Sequence, residues 1–555
     1  MTEKLRIALA QLNPKVGAID ANLELARDAI ARARSQGADI LMLSELFLTG
    51  YFPEDLLFKP QFVSDAIAAA EALVSTTADS DLTLILPTVW RDGDMLRNSV
   101  VIAESGRISA IRHKRELPNI DVFYERRYFT PGPLPEPVEI KGVPIGIPIC
   151  EDIWQPWVCS HLARQGAELL LCPNGSPYWR DKQSVRTELV RSRVAEDSVP
   201  LLYLNQVGGQ DELVFDGASF AYEPGDRMVF QGRSFEPDFI VSDWVATPDG
   251  WRCEEGTIET LPDIDEAPWR ACVLGLRDYV HKNGFSKVVL NLSGGIDSAI
   301  VAALAVDAFG ADKVHCIMQP YRYTSSESLR DAQECAARLG VRYDVVSIAD
   351  PVEAVTAGLS EMFAGRDEDL TEENVQSRMR GLIAMAVSNK FGSMLLTTGN
   401  KSEMAVGYAT IYGDMNGGFN PIKDLLKMQV YHLARWRNAH HPADCLGPQG
   451  EVIPQSIIDK APSAELRPDQ TDQDSLPPYP VLDAILEAMV EEERSLAEIV
   501  ELGHDADLVR RVERLVNLAE YKRRQSAPGV KLSPRAFGLG RKYPITNGYR
   551  DGSAS

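Results

Sequence analysis

A glycine pair at the end of an apolar run is the feature of this sequence with the clearest chemistry. The run Val288 to Leu292 ends in Ser293-Gly294-Gly295-Ile296-Asp297-Ser298, and a helical pattern follows from Ala299 to Phe309. Two glycines let the backbone turn tightly and present N–H groups at a helix N-terminus, where an anion, most often phosphate, binds. No Gly-Lys-Ser/Thr ending of a Walker A loop is present. The motif predicts another kind of phosphate loop, and a structural Gly-Gly turn is the alternative.

A second set of residues has the side-chain types that cleave an amide. Glu45 follows the apolar run 40–43, Lys114 follows a hairpin pattern, and Cys150 follows Ile147-Pro148-Ile149. A thiolate attacks an amide carbon, a carboxylate accepts the thiol proton, and an ammonium stabilises the oxyanion. Each residue alone has an ordinary alternative, a packed thiol or a solvated charge.

The composition is that of an acidic globular protein. The chain has 555 residues, which predicts two domains, with 45% hydrophobic and 25% charged residues. A net charge of −23 disfavours general binding to nucleic acid or to anionic membranes. A nucleotide ligand remains compatible, since local loops hold phosphate against an acidic background.

Cysteine usage and the N-terminal run favour a cytoplasmic protein. The eight cysteines form no C-x-x-C pair, so a structural zinc site is not expected, and several lie in apolar runs as reduced thiols do. Met1 to Arg6 leads directly into a strand pattern and does not resemble a signal peptide. We expect no membrane-crossing segment.

The elements that must position the first-half residues alternate between strands and helices. A helix is predicted after Gln11, with Asp20 as its N-cap. Residues 99–103 and 107–111 predict a hairpin. Further strands are predicted at 7–11, 40–43, 82–86, 143–149, 168–171, 201–204, 218–222 and 228–231. This series predicts an α/β sandwich.

The second half predicts a doubly wound parallel sheet with ligands at the carboxyl ends of its strands. Nearly continuous apolar strands at 288–292, 314–318, 343–348 and 394–397 alternate with helices at 299–309, 325–339 and 374–390. We expect a first domain at 1–250, an acidic linker at 251–268 and a second domain at 269–555. The acidic stretch Glu465 to Asp474 is interpreted as a solvated loop.

The segments around these residues resemble two enzyme families. Ser44-Glu45-Leu46, Lys114 to Leu117, Cys150-Glu151-Asp152 and Asn174 to Tyr178 resemble the Glu–Lys–Cys triad and substrate-side strand end of the nitrilase superfamily. The Ser293 to Ser298 segment resembles the SGGxDS pyrophosphate loop of ATP pyrophosphatases. The resemblance implies a nitrilase-like sandwich followed by an adenine nucleotide α-hydrolase-like domain.

This order of domains is similar to that of the glutamine-dependent NAD synthetase family. Five segments of the second half also resemble that family: Thr371 to Arg378, Thr398 to Glu403, Gly407 to Asp414, Pro462 to Leu466 and Lys522 to Gln525. The resemblance implies hydrolysis of glutamine to ammonia and ATP-dependent adenylation of deamido-NAD⁺, giving NAD⁺, AMP, pyrophosphate and glutamate. It also implies a homo-oligomer and a protected path for ammonia.

The resemblance implies particular roles in each domain. Glu45, Lys114 and Cys150 would be catalytic, and Ile120, Ser176 and Lys182 would bind glutamine. Ile120 departs from the family, which often has an aromatic residue there. The roles expected in the second domain are ATP binding by Ser293, Gly294, Gly295, Asp297, Ser298 and Thr398, deamido-NAD binding by Asn374, Glu403 and Lys522, and Mg²⁺ binding by Asp297 and Glu403. For Lys522, a surface basic patch is the alternative.

Two other functions remain open at this point. One is a different adenylating amidotransferase that acts on another carboxylic acid, against which the Asn374 and 407–414 segments argue. The other is a nucleotide-binding protein without activity, against which the full set of catalytic residue types argues.

Overall fold

The computed structural model describes residues 3–254 and 256–551, which form two compact units. The first contains residues up to 210 and 214–263, and the second contains 211–213 and the residues from 264 onward. Among the described residues, no helix combines the length and the apolar character needed to cross a bilayer.

The first unit is built on two large sheets. The seven-stranded sheet has the order β15-β14-β1-β2-β3-β4-β5, and the six-stranded sheet has the order β13-β12-β9-β8-β7-β6. The strands are β1 (Lys4–Gln11), β2 (Ile40–Leu43), β3 (Thr83–Asp92), β4 (Met95–Glu104), β5 (Arg107–His113), β6 (Val138–Ile140), β7 (Val143–Gly146), β8 (Leu169–Asn174), β9 (Leu201–Asn205), β10 (Val207–Gln210), β11 (Leu213–Asp216), β12 (Phe220–Glu223), β13 (Arg227–Gln231), β14 (Asp238–Thr247) and β15 (Gly250–Cys253). The helices are α1 (Ile19–Ser35), α2 (Pro60–Thr76), α3 (Pro156–Arg164) and α4 (Lys182–Asp197).

Alternation of side chains along the strands explains the layers of this unit. In β1, Leu5, Ile7 and Leu9 belong to a core that also contains residues of the second sheet, whereas Ala8 and Ala10 pack with α1 and α2. In β8, Leu170 and Cys172 point away from the core between the two sheets and pack with Val190 of α4. Because successive residues of a strand point to opposite faces, each sheet is covered on both sides. The result is a helix–sheet–sheet–helix sandwich, as predicted.

One local prediction for the first unit is confirmed and another is wrong. The predicted hairpin is confirmed, since β4 and β5 pair antiparallel. The predicted N-cap at Asp20 is wrong, because α1 begins at Ile19 and has Ala18 at the N-cap position. The side chain of buried Asn22 orders this turn instead, through hydrogen bonds with the backbone of Lys15 and Leu48.

The second unit contains a parallel sheet with helices. The strand order is β18-β17-β16-β19, so β16, the first of these strands in the chain, lies inside the sheet and later strands are added on both sides of it. This is the arrangement that the doubly wound prediction requires. The strands are β16 (Val288–Asn291), β17 (Val314–Met318), β18 (Arg342–Val345) and β19 (Met394–Leu396). The helices are α5 (Glu266–Lys282), α6 (Ile296–Phe309), α7 (Ser326–Leu339), α8 (Ala349–Leu359), α9 (Leu370–Phe391), α10 (Lys401–Val406), α11 (Lys427–Ala439), α12 (Gln455–Asp459), α13 (Tyr479–Leu486), α14 (Leu496–Glu501), α15 (Ala506–Leu518) and α16 (Glu520–Arg523).

The segment predicted as a linker, 251–268, contains structured ends. Its first residues belong to β15, which pairs with β14 and buries Trp251 and Cys253. Its last residues belong to α5, which begins at Glu266. Glu255, within the predicted linker, lies outside the described residues. Buried apolar side chains within an acidic stretch account for the difference, since acidic composition alone suggested an irregular segment.

Candidate active sites

Three strand ends of the first unit bring an amide-cleaving set of side chains together. Glu45 follows β2, Lys114 follows β5, and Cys150 lies shortly after β7. The Lys114 Nζ donates to Glu45 Oε1 at 2.7 Å, and both side chains are completely buried. Cys150 is also buried, and its pKa is raised by burial and by the Glu45 carboxylate. The predicted trio therefore forms one cluster in which a proton acceptor and a cation share the surroundings of a thiol.

Glu125 is a second carboxylate that bonds to Lys114, and no motif in the sequence pointed to it. Glu125 Oε1 accepts from Lys114 Nζ at 2.8 Å and from the Tyr51 hydroxyl at 2.9 Å. Burial raises the pKa of Glu125 to about 7, against the opposing effect of the Lys114 ammonium. Burial alone lowers the pKa of Lys114, but Glu125 and Glu45 outweigh it, and the pKa is raised well above its ordinary value. Lys114 is therefore held as an ammonium.

The Glu45 carboxylate is oriented from three sides. Besides Lys114, the Asn98 amide donates to Glu45 Oε1 at 2.8 Å, and the backbone N–H of Gly175 donates to Oε2 at 3.0 Å. A carboxylate fixed by donors has a defined direction for accepting a further proton. Asn98 had no motif around it in the sequence, whereas Gly175 lies within the Asn174 to Tyr178 segment.

Asp152 ties the lysine segment to the turn that carries the cysteine. Its carboxylate accepts from the backbone N–H groups of Arg115 at 3.0 Å, Glu116 at 2.7 Å and Ile149 at 2.9 Å. Cys150 itself has a φ of 46°, in the left-handed region that non-glycine residues adopt at a cost of about 1 kcal/mol. These contacts hold the Cys150 segment in that conformation.

The three predicted glutamine-binding residues have different surroundings. Ser176 is buried, where its Oγ accepts from Arg186 Nε at 3.1 Å. The Lys182 ammonium lies over the rings of Trp154 and Trp179, at 4.5 and 5.1 Å from their centroids. Ile120 is 70% exposed. The structure therefore places Ser176 in the buried framework and leaves Ile120 at the surface.

The predicted pyrophosphate loop joins β16 to α6. Ser298 Oγ accepts from Ser293 N at 3.1 Å and donates to the Gly295 carbonyl at 2.9 Å. Gly294 has a φ of +81°, and a Cβ added there would lie 2.4 Å from the carbonyl oxygen of Ser328 in α7. Only glycine fits both requirements. The loop is thus closed by its own serine and packed directly against the first turn of α7.

A cavity of about 260 Å³ lies at the carboxyl ends of the parallel strands. It is lined by six of the predicted ATP and metal residues, namely Ser293, Gly295, Asp297, Ser298, Thr398 and Glu403. Asn374 and Lys522 are outside the described lining, and both contact the 407–414 segment. Asn374 accepts from Thr410 Oγ1 at 3.0 Å, and Lys522 donates to the carbonyls of Gly407 at 2.8 Å and Ala409 at 2.7 Å.

Lys427 is a buried cation in this cavity that the sequence analysis did not identify. Its ammonium donates to Asp297 Oδ2 and to Glu403 Oε1, the latter at 3.1 Å. Burial raises the pKa of Glu403 to about 8, against the opposing effect of Lys427. Asn400 Nδ2 donates to Asp297 Oδ1 at 3.0 Å. Within the described residues, no cluster of three or more His, Cys, Asp or Glu side chains forms a complete metal site.

The interpretation of residues 465–474 as a solvated loop is wrong. Glu465, Leu466 and Asp472 line the cavity, and Asp472 is buried with its carboxylate bonded to the Tyr479 hydroxyl at 2.8 Å. Charge composition does not reveal these contacts, because Glu465 accepts from Ser325 and Ser328, which are distant in the sequence, and Asp472 accepts from Tyr479.

Comparisons with known proteins give a match for each of the two units. The carbon-nitrogen hydrolase model matches residues 6–244, and the NAD synthase model matches residues 268–526. A glutamine-dependent NAD(+) synthetase of Rhodobacter capsulatus is 52% identical over 554 residues, covering 100% of each chain. One from Thermotoga maritima is 40% identical over 581 residues, covering 99% of this chain and 100% of the relative.

A solved structure leads to the same family. The glutamine-dependent NAD+ synthetase from Acinetobacter baumannii, in complex with adenosine diphosphate, is 37% identical with a TM-score of 0.79. The match covers 99% of this chain and 100% of that chain. On full-length identity, domain order and fold, the chain belongs to the glutamine-dependent NAD(+) synthetase family.

Proposed function

We propose that Cys150, Glu45 and Lys114 release ammonia from glutamine, and that the cavity of the second unit uses ATP to join it to deamido-NAD⁺. The completely buried contact between Lys114 and Glu45, whose charges both act on the pKa of the buried Cys150 thiol, is the observation that carries the first assignment. The loop from Ser293 to Ser298 supports the second.

The first reaction uses a base and a cation in turn. Glu45 accepts the Cys150 proton as the thiolate attacks the side-chain amide carbon of glutamine. The Lys114 ammonium stabilises the oxyanion that forms. When the oxyanion collapses, the carbon–nitrogen bond breaks and Glu45 gives the Cys150 proton to the nitrogen, which leaves as ammonia. Water then hydrolyses the thioester to glutamate. Removing a proton from Cys150 needs a base in contact, because burial raises its pKa and disfavours the free thiolate.

In the second reaction, a carboxylate is first made reactive. The carboxylate of deamido-NAD⁺ attacks the α-phosphate of ATP, pyrophosphate leaves, and ammonia displaces AMP from the adenylate. Backbone N–H groups of the 293–298 loop would hold the phosphates, with Thr398 near the nucleoside. Asn374 and Lys522 would act through the 407–414 segment that they contact.

Asp297 and Glu403 would hold a Mg²⁺ ion beside the phosphates of ATP. Both are carboxylates at the cavity, and Mg²⁺ takes one or two such ligands beside phosphate. When bound, the ion would neutralise phosphate charge. Lys427, which contacts both carboxylates, would orient them. The homo-oligomer and the cytoplasmic location expected from the sequence stay predictions.

Replacement of the nucleophile tests this assignment. In Cys150→Ala, we expect NAD⁺ formation from glutamine to fall by about 10³-fold or more, because the nucleophile is lost, while formation from ammonia is retained. Formation of NAD⁺ from deamido-NAD⁺, ATP and Mg²⁺ is measured with each donor. Cys159→Ala removes another buried thiol of the same unit and should retain both activities.

Two results would contradict the proposal. Full glutamine use by Cys150→Ala would exclude Cys150 as nucleophile. If wild-type protein gave AMP with another carboxylic acid but no NAD⁺ from deamido-NAD⁺, the acceptor would be that other acid.

A further inference from the structure

The cavity of the second unit contains a cation that the reaction described above does not use. Of the described residues that line it, three are basic: Arg380, Lys427 and Lys460. Lys427 is bonded to Asp297 and Glu403, and Arg380 Nε donates to the backbone carbonyl of Gln319 at 3.1 Å. Lys460 has other partners, namely Ser328 and Glu465.

Lys460 lies on the side of the pyrophosphate loop. Its ammonium donates to Ser328 Oγ, in the first turn of α7. The carbonyl oxygen of the same Ser328 is the atom that would lie 2.4 Å from a Cβ at Gly294. One residue therefore separates the Lys460 ammonium from the loop. Because the loop binds phosphate in our assignment, Lys460 is close to the phosphates rather than to the base.

Glu465 fixes the ammonium in this position. Its Oε1 accepts from Lys460 Nζ at 3.2 Å, from Ser325 Oγ at 2.8 Å and from Ser328 Oγ at 2.7 Å. The Lys460 and Glu465 side chains are 19% and 18% exposed, so the pair is accessible from the cavity while most of it is desolvated. A partly desolvated cation interacts with phosphate more strongly than an exposed one.

We propose that Lys460 binds the pyrophosphate leaving group and that Glu465 is its positioning residue. When the substrate carboxylate oxygen bonds to the α-phosphorus, the bond from that phosphorus to the bridging oxygen breaks. The electron pair stays on that oxygen, and the charge of the leaving pyrophosphate increases. An ammonium held beside it stabilises this charge as it develops, which accelerates adenylation.

The proposal rests on the assignment of ATP to this cavity. Its test uses the full chain with ammonia as donor, so that the first site is not needed. Lys460→Met is compared with Lys460→Arg, Glu465→Gln and the control Lys313→Met, which changes an exposed lysine paired with Asp312. The readouts are kcat, KM for deamido-NAD⁺ and the inhibition constant of added pyrophosphate.

We expect Lys460→Met to lower kcat by about 100-fold, with KM for deamido-NAD⁺ changed less than about threefold. Pyrophosphate inhibition should weaken by about tenfold, an effect that general loss of structure does not produce. Lys460→Arg should restore most of both, since the charge is kept. Glu465→Gln should lower kcat by about tenfold through loss of positioning. Lys313→Met should match wild type.

Unchanged kcat and pyrophosphate inhibition in Lys460→Met would overturn the inference. If that variant does not fold, as judged by its melting temperature, unchanged kinetics in Glu465→Gln overturn the positioning role that the inference requires. Gly294→Ala separates this failure from failure of the cavity assignment. Full activity of Gly294→Ala would argue against ATP in this cavity, whereas its inactivity together with a wild-type Lys460→Met would reject Lys460 alone.

Discussion

At the scale of single residues, the proposed amide-cleaving site has one lysine shared by two carboxylates. Glu45 and Glu125 both accept from Lys114 Nζ, at 2.7 and 2.8 Å, and none of the three side chains is exposed. An ammonium between two carboxylates leaves one excess negative charge in a desolvated place. A proton on Glu125 relieves that charge, in line with the raised pKa of this residue.

Replacing Glu125 by glutamine should change the pH dependence of stability. The pKa of Glu125 is raised from 4.5 to about 7 in the folded state, so the folded chain holds an extra proton between these values. Its contribution to the free energy of unfolding therefore decreases as pH rises from about 4.5 to 7, by about 3 kcal/mol. In Glu125→Gln this decrease should be absent, and glutamine hydrolysis should slow by about tenfold because Lys114 is less well held.

Denaturant unfolding at pH 5 and pH 7.5, followed with glutamine hydrolysis, checks this expectation. Glu139→Gln, an exposed change in β6, is the control and should keep the wild-type pH dependence. An identical pH dependence in Glu125→Gln would mean that Glu125 stays ionised in the folded protein throughout this range.

The residues of this site differ in how far the sequence reveals them. Glu45, Lys114 and Cys150 could be predicted because each has a short local motif at the end of an apolar strand. Glu125 lies 11 residues beyond Lys114, in a segment with no pattern of its own, and becomes part of the site only through the chain path. Lys427, similarly, meets Asp297 from 130 residues away. Residues with a local motif can be predicted from the sequence, whereas residues that join a site through tertiary contacts cannot.

At the scale of elements, α9 and the 410–416 segment pack with their backbones in contact. A Cβ added to Gly381 in α9 would lie 2.8 Å from the carbonyl oxygen of Tyr412 and 3.0 Å from that of Gly413. Asn416 Nδ2 donates to the Gly381 carbonyl at 3.1 Å, and Asp414 N donates to Ser377 Oγ at 3.0 Å. This packing places Gly413 and Asp414 at the cavity.

Alanine at Gly381 should displace that segment. Gly→Ala within a helix stabilises by about 0.5–1 kcal/mol where space is open. At Gly381 the added carbon clashes with backbone oxygens, so we expect no stabilisation and a KM for deamido-NAD⁺ raised by about tenfold. Gly358→Ala, in α8 with nothing within 4 Å of the added carbon, should raise stability and leave KM unchanged. Thermal unfolding and ammonia-dependent kinetics test the pair, and equal behaviour of the two variants would contradict the packing argument.

The fold was largely predictable at this scale, with errors where polar side chains replace the usual signals. Apolar runs predicted the four strands of the parallel sheet and most strands of the two large sheets, since β-branched segments such as β16 and β17 favour strands. They did not predict β6, β14 and β15. The start of α1 was missed because no side chain caps the helix. Asn22 instead bonds to the backbone of the preceding loop. The cavity-facing part of the 465–474 segment was missed because the carboxylates of Glu465 and Asp472 are bonded rather than solvated.

At the scale of the whole molecule, each unit has a core of its own. Leu202 of β9 belongs to the core between the two large sheets, and Leu290 of β16 is buried in the parallel sheet of the second unit. Each core contains enough buried apolar side chains to support a cooperative unfolding transition.

Calorimetry of the full chain should show two transitions that respond to different changes. Leu202→Ala should lower one transition, since removing a buried leucine side chain costs about 2–5 kcal/mol, and Leu290→Ala should lower the other. ATP should raise the transition that Leu290→Ala lowers, because ligand binding stabilises the unit that binds it. A single transition that shifts as a whole in every case would mean that the two cores unfold together.

With ATP and deamido-NAD⁺ assigned to the cavity as proposed, the charge of its lining also affects how fast these substrates arrive. Five of its described residues are acidic, Asp297, Glu403, Asp414, Glu465 and Asp472, against three basic ones, and the chain carries a net charge of −23. ATP and a dinucleotide are themselves anions, so they approach against a repulsive field. Dissolved salt shortens the range of that repulsion. Raising the ionic strength from a low value therefore speeds the encounter of substrate and enzyme, the opposite of what holds for nucleotide-binding proteins with a basic entrance.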